Sequence, residues 1–256
     1  MLYTFLICLL AGLGAGLGTG FAGMSAAAVI SPMLITFLKM DPYMAVGIAL
    51  ASDVLASAVS AYTYGKNQNL DIRNGLVMMF SVLCFTLVGS YISSLVPSTA
   101  MGGFSTFMTL LLGLKFILRP VMTTRETMGE VSARKRFVQS VICGSGVGFI
   151  CGFIGAGGGM MMLLLLTSVL GYELKTAVGT SVFIMTFTAF TGAAGHFAIG
   201  GLPDPLTLLF CVGSTLFWAR VAAKFANKAS PVVLNRATGV VLTVLGTGIL
   251  AVNYFG

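Results

Sequence analysis

The sequence predicts an all-α polytopic membrane protein, made of two inverted five-element repeats that each open with a glycine-tipped helical hairpin. Three observations carry this. The 256 residues are 57% hydrophobic and only 8% charged, with a mean hydropathy of +1.00, whereas a soluble domain carries roughly a quarter charged residues. A glycine-punctuated segment occurs twice, 132 residues apart: Gly12-Leu-Gly-Ala-Gly16-Leu-Gly-Thr-Gly20-Phe-Ala-Gly23 is matched by Gly144-Ser-Gly-Val-Gly148-Phe-Ile-Cys-Gly152-Phe-Ile-Gly155. The same register carries Leu34 onto Leu166, Leu38 onto Leu170, Asp41 onto Glu173 and Ala45-Val46-Gly47 onto Ala177-Val178-Gly179. Finally, the basic residues gather in alternate loops, which gives the chain an orientation.

Apolar runs bounded by charge, Pro or Gly fall at 3–22, 26–38, 45–64, 75–96 and 101–118 in the first half, and at 138–154, 158–170, 176–198, 205–223 and 237–254 in the second. The runs 26–38 and 158–170 would extend only about 20 Å as helices, short of the ~30 Å hydrocarbon core. Each follows its predecessor across a glycine turn, so the two pairs read as hairpins with tips inside the membrane. A tilted pair of short spans gives the same parity. With the N-terminus outside, the loops 65–74, 119–137, 171–175 and 224–236 are cytoplasmic. They hold Lys66, Arg73, Arg119, Arg125, Arg134, Lys135, Arg136, Lys175, Lys224, Lys228 and Arg236, and only Lys39 falls outside. Lys115 and Arg220 lie near the cytoplasmic ends of their helices. Both termini are then outside. Five elements per half make the second copy enter from the opposite face, and such an inverted repeat has two near-equivalent packings, one open to each side.

The chain therefore divides into a first transmembrane repeat (1–118), a cytoplasmic connector (119–137) and a second repeat (138–256). The formal charge of +7 reads as membrane topology and not as a nucleic-acid footprint. Cys8, Cys84, Cys143, Cys151 and Cys211 lie in apolar runs without paired spacing, so neither disulfides nor zinc are expected, and no motif calls for a cofactor. The opening Met1-Leu-Tyr-Thr-Phe-Leu-Ile-Cys has no basic n-region or small-residue cleavage site, so the first run is expected to remain in the mature protein.

The residues that could carry chemistry cluster at the hairpin tips. The Gly12/Gly16/Gly20 and Gly144/Gly148/Gly152 stripes read as helix-packing faces. The turns Gly23-Met24-Ser25 and Gly155-Ala156-Gly157-Gly158-Gly159 each open a short helix, so unpaired N–H groups and a positive dipole end would meet there, a setting that suits an anion. The alternative is a tight turn between packed helices. Irregular backbone at membrane depth is tolerated only against protein or a watery cavity. Thr180 and Ser181 follow Gly179, where the first half has Ile48 and Ala49 and a nearest hydroxyl at Ser52. These hydroxyls read either as substrate contacts or as back-bonds to their own helix. Asp53 is the only acid in the middle of a span and is the first candidate for proton or cation coupling, against a structural hydrogen-bonding role. His196, the only histidine, is the second candidate, against a place at the interface. Trp218, Arg220, Lys224 and Lys228 read as an interfacial anchor in membrane lipid.

Gly152-Phe-Ile-Gly155-Ala-Gly-Gly-Gly159, an apolar run, and then Ala177-Val178-Gly179-Thr180-Ser181 resemble the sulfite exporter TauE/SafE family of membrane permeases. The first copy, Gly20-Phe-Ala-Gly23 through Ala45-Val46-Gly47, extends the resemblance over essentially the whole chain, with Ser25-Ala26-Ala27 and Ile48-Ala49 as its departures. The resemblance implies secondary transport, without ATP, of sulfur-containing anions such as sulfite and organosulfonates. The expected function is thus an alternating-access exporter of a small sulfur-containing anion in the cell membrane, with protons as a candidate partner and Gly23, Ser25, Ser52, Gly155, Gly157, Gly158, Gly159, Thr180 and Ser181 lining the site. An anion channel is the first alternative. An intramembrane hydrolase using Ser25 or Ser181 with His196 and Asp53 is a weaker one, because those residues are expected at scattered depths.

Overall fold

The computed structural model describes residues 2–93, 104–121, 132–154 and 158–255. Ten helices make up the described residues: α1 (Leu2–Ala22), α2 (Ala27–Leu38), α3 (Pro42–Lys66), α4 (Ile72–Ser93), α5 (Phe104–Leu118), α6 (Ala133–Ile154), α7 (Gly158–Ser168), α8 (Leu174–Gly200), α9 (Pro205–Lys228) and α10 (Pro231–Phe255). Six of them, α1, α3, α4, α8, α9 and α10, are long and apolar enough to cross a membrane. The protein is an all-α, multi-pass membrane protein. Large apolar side chains such as Leu6, Phe80, Leu87, Phe190, Leu209, Phe217 and Val244 lie exposed on its outside, as a surface solvated by lipid requires.

Several helices run past the apolar stretches that announced them. Hydropathy marks the part of a helix that sits in hydrocarbon, whereas backbone hydrogen bonding continues into the polar flank until a cap stops it. Thus α3 starts at Pro42, where Asp41 accepts from the Tyr43 and Met44 amides at 3.0 and 3.2 Å, and Asp204 caps α9 on the Thr207 amide at 2.8 Å. Proline at the first helical position loses no hydrogen bond. The helix α6 begins at Ala133, so the basic residues Arg134, Lys135 and Arg136 ride on its first turns. Arg125 and most of the 119–137 connector lie outside the described residues.

Both hairpins return to the end they left. The Tyr3 hydroxyl at the start of α1 donates to the Phe37 carbonyl near the end of α2, at 3.2 Å. The Gln139 amide near the start of α6 donates to the Val169 carbonyl just beyond α7, at 3.3 Å. Residues 37 and 169 occupy the same place in the 132-residue register. With 12 residues in α2 and 11 in α7, the short arms extend roughly 16–18 Å.

The glycine stripes are packing faces. A Cβ at Gly12, Gly16 or Gly20 would press into Ser214, Thr215, Trp218, Ala219 or Ala222, so α1 runs parallel to α9 in close contact. Gly144 and Gly148 lie in the same way against Met78 and Val82, and α6 runs parallel to α4. At the centre α3 and α8 pack antiparallel. Gly47 near the start of α3 faces Phe197 and His196 near the end of α8, while Gly179 near the start of α8 abuts Tyr64 near the end of α3 and Asn69 in the loop that follows. The pair α5 and α10 is also antiparallel, through Gly113 against Gly239 and Thr243 and Gly246 against Leu110.

One end of the bundle collects the basic loops. Asn69 donates to Asn227 at 2.7 Å, Tyr172 to Asp71 at 2.7 Å and Lys175 to the Asn227 carbonyl at 3.0 Å. The Asn235 side chain exchanges hydrogen bonds with the Val121 backbone, and the Arg136 guanidinium lies over the Tyr172 ring, 5.2 Å from its centroid. Burial and the neighbouring Asp71 carboxylate push the Tyr172 phenol far above its ordinary range, so it stays a donor.

Candidate functional site

The first hairpin tip and the start of α7 meet in the middle of the protein. At the first, Gly23 takes a left-handed conformation (φ +60) that favours glycine and closes α1, with its amide on the Thr19 carbonyl at 2.9 Å and the Met24 amide on the Gly18 carbonyl at 3.1 Å. The Thr19 hydroxyl bridges the turn to the Met24 carbonyl at 2.8 Å. The chain re-enters a helix at Ser25, whose side chain and carbonyl accept the Ala27 and Ala28 amides.

Facing this turn is Gly159 in the first turn of α7. A Cβ there would overlap the Gly23 carbonyl oxygen, come within 2.7 Å of the Met185 sulfur and 3.1 Å of the Ser25 nitrogen. The N-terminal ends of α2 and α7 therefore converge on one point, each with the positive end of its dipole. From α8, Ser181 reaches the same place: a Cβ on Gly23 would lie 2.9 Å from its hydroxyl. Among the described residues that hydroxyl has only a weak contact with the Met185 sulfur, at 3.9 Å, and Ser181 is fully buried.

From α3 comes the acid. Asp53 is 1% exposed. Its Oδ2 accepts from the Ser25 hydroxyl at 2.7 Å, the Ala26 amide at the opening of α2 faces the same carboxyl, and Oδ1 has no partner among the described residues. A polar seam continues along the α3–α8 contact, where the Thr186 hydroxyl meets Ser57 at 3.2 Å. The arrangement is a buried junction of two helix N-termini, one carboxyl and two hydroxyls.

A junction of two helix N-termini inside a multi-pass bundle is the setting in which transporters hold an anion, and residues 8–249 match the family described as sulfite exporter TauE/SafE. The chain belongs to that family. This TauE/SafE chain is 25% identical over 272 aligned residues, 98% of its own length and 99% of the relative's, to the probable membrane transporter protein YunE of Bacillus subtilis. It is 24% identical over 222 residues, 87% of its length and 90% of the relative's, to the probable membrane transporter protein YdhB of the same organism. A probable membrane transporter protein of Methanocaldococcus jannaschii is 24% identical over 213 residues, 79% of this chain and 77% of the relative. The protein is a membrane transporter of the TauE/SafE family and not an enzyme.

Of the residues singled out in the sequence, Gly23, Ser25, Asp53, Gly159 and Ser181 come together at the junction. Gly158 is next to it, where a Cβ would lie 2.7 Å from the Cys151 sulfur. Gly155 and Gly157 lie outside the described residues. Three others point elsewhere. The Thr180 hydroxyl accepts the Asp71 amide at 3.2 Å and serves the α3–α4 loop, because successive helical residues point about 100° apart. Ser52 back-bonds to the Ile48 carbonyl at 2.8 Å. His196 stacks on Tyr43 with ring centroids 4.4 Å apart and has Nδ1 3.1 Å from the Gly192 carbonyl, at the end of α8 remote from Ser181, so the serines, Asp53 and the histidine do not assemble as a triad. Met185 also lies at this junction, and residue chemistry alone did not flag it. Its signal was in the duplication, since it occupies the register position of Asp53.

Proposed function

We propose that this protein is a secondary transporter, working as an exporter, of a small sulfur-containing anion such as sulfite or an organosulfonate, and that its two halves are inverted repeats operating by alternating access. The observation that carries the reading is the convergence of the α2 and α7 N-termini on Ser25, Gly159 and Ser181. Backbone donors and hydroxyls without side-chain cations suit a small oxyanion. The contacts support the inverted repeat: exchanging each helix for its counterpart five places on turns α1–α9 into α6–α4, both parallel, and leaves α3–α8 and α5–α10 as antiparallel pairs. Repeats spanning 1–118 and 138–256 around a connector are consistent with this pattern. The gathering of the basic loops at one end supports a cytoplasmic position for that end and an outside position for both termini.

Substrate contacts fall to Gly23, Ser25, Gly158, Gly159 and Ser181, with Gly155 and Gly157 in the same loop by sequence; Thr180 and Ser52 hold backbone around them. Uncoupled, an inside-negative potential drives a cytoplasmic anion outward by ~2.3 kcal/mol per charge per 100 mV; carried with one proton, a monoanion moves electroneutrally and leaves down its own concentration gradient, opposed by any inward proton gradient, and neither route needs ATP. Asp53 at the junction is the coupling residue for protons, ahead of His196. Counterflow in proteoliposomes tests the reading. Saturable exchange of labelled for unlabelled sulfite or organosulfonate without chemical change is expected of a carrier, whereas flux that never saturates would make the protein a channel.

A further inference from the structure

A carboxylate is itself an anion, and Asp53 stands where the proposed substrate would. Ser25 donates to it at 2.7 Å and the Ala26 amide of the α2 N-terminus faces it, while Oδ1 remains without a partner among the described residues in a side chain 1% exposed. Gly159 places the α7 N-terminus within contact of the Ser25 nitrogen. The donors of the junction thus already face a carboxyl tethered to the protein, which is an anion whenever it is ionised. The counterpart of Asp53 in the other half is Met185, which adds no second charge. A substrate anion entering the junction meets an ionised Asp53 within a few ångströms in a buried, low-dielectric setting, where like charges repel strongly.

No cation on the packed elements offsets this. Helix α1 carries Tyr3 and Cys8 near its start, and α2 carries no titratable group. Lys175 of α8 bonds to Asn227 and His196 stacks on Tyr43, both at helix ends. On α9, Cys211 faces Cys8, and Arg220, Lys224 and Lys228 are exposed. On α3 itself the Tyr64 hydroxyl bonds to the Gly20 carbonyl, while Tyr43, Tyr62 and Lys66 lie toward the ends.

We propose that Asp53 is a tethered competitor for the anion site: substrate anion and ionised Asp53 exclude each other, so each anion that binds brings one proton onto the Asp53 carboxyl. The proposal rests on the anion-transport reading and specifies its coupling. The proton comes from water on whichever side the junction faces, and the neutral carboxyl keeps its Ser25 contact while the anion takes the backbone donors. By linkage, the anion promotes protonation as much as protonation promotes anion binding.

The test is equilibrium binding to purified wild type and Asp53→Asn, with methanesulfonate as the probe, because it stays a monoanion throughout the range of about pH 3 to 9 in which side-chain carboxyls and histidine titrate. Wild-type affinity should rise as pH falls, approaching about tenfold per pH unit where one proton is taken up. Asp53→Asn should bind independently of pH and at least as tightly as wild type does at low pH. Proton uptake on methanesulfonate binding, read with a dye in weak buffer, tests the wild type alone and needs no variant to fold. Wild-type binding that is flat with pH and releases or takes up no proton overturns the proposal while leaving anion transport intact, as does tenfold weaker binding in a folded Asp53→Asn. If folded wild type binds neither methanesulfonate, sulfite nor thiosulfate at any pH, the anion reading itself falls, and this proposal with it.

Discussion

In the first hairpin Ser25 opens α2 and donates to Asp53; in the second, Gly159 stands in the register position of Ala27, Met185 in that of Asp53 and Ser181 in that of Ala49. The frame is common to both. Each hairpin closes on a side-chain bond to the carbonyl at the same register position, Phe37 or Val169, and each long arm packs through glycines on a partner from the other half. The tips have diverged in chemistry: one presents a carboxyl of its own, the other a bare backbone beside a hydroxyl. On the proposed reading, a duplicated fold supplies two helix N-termini and divides charge control and ligand contact between them.

The comparison breaks most severely at the glycines. Gly159→Leu must overlap the Gly23 carbonyl, so transport should vanish and thermal stability in detergent should fall, since overpacking in a well-packed core costs typically about 1–3 kcal/mol and here has no side chain to yield. Gly158→Leu should abolish transport in a protein that remains folded, because among the described residues a side chain there first meets the flexible end of Cys151. Normal transport by either variant would show that the tips do not form the passage.

Asp53→Asn removes the charge that distinguishes the first tip while keeping its volume. Exchange of labelled substrate should continue, and transport driven by a pH gradient should cease. Retention of the gradient response would assign Asp53 a purely structural hydrogen bond. A smaller effect separates adjacent hydroxyls. Ser181→Ala should weaken substrate binding by about 1 kcal/mol for a neutral hydrogen bond and up to ~3 for one to a charged group. Thr180→Ala should leave affinity unchanged and loosen the loop at Asp71. Equal losses in both would contradict the placement of Thr180.

Much of this was legible in the sequence, for physical reasons. Hydropathy and glycine spacing report burial in hydrocarbon and close helix contact, so the ten elements and both hairpins could be read from them, and the lone intramembrane acid marked Asp53. Side-chain direction was not legible. Thr180 and Ser181 are neighbours of similar polarity, and only the packing of α8 between the α3–α4 loop and the hairpin tip sends one hydroxyl to the Asp71 amide and the other to the junction. The same holds for Ser52 beside Asp53. His196 drew notice as a lone titratable group, yet its ring packs on Tyr43.

Orientation supplies the smallest perturbation. In a background lacking the native cysteines, Leu202→Cys should react with an impermeant thiol reagent applied outside intact cells, and Asn67→Cys should react only after the membrane is opened. The reverse pattern would invert the assignment of the basic loops to the cytoplasm.

The central claim is that the meeting point of the two hairpins is where the anion is carried. Sulfite counterflow in proteoliposomes reads it most directly, with wild type and Gly158→Leu reconstituted side by side at equal folded amounts. The account predicts saturable exchange in wild type and none in Gly158→Leu. Undiminished exchange in Gly158→Leu would place the anion's path elsewhere in the molecule and contradict it.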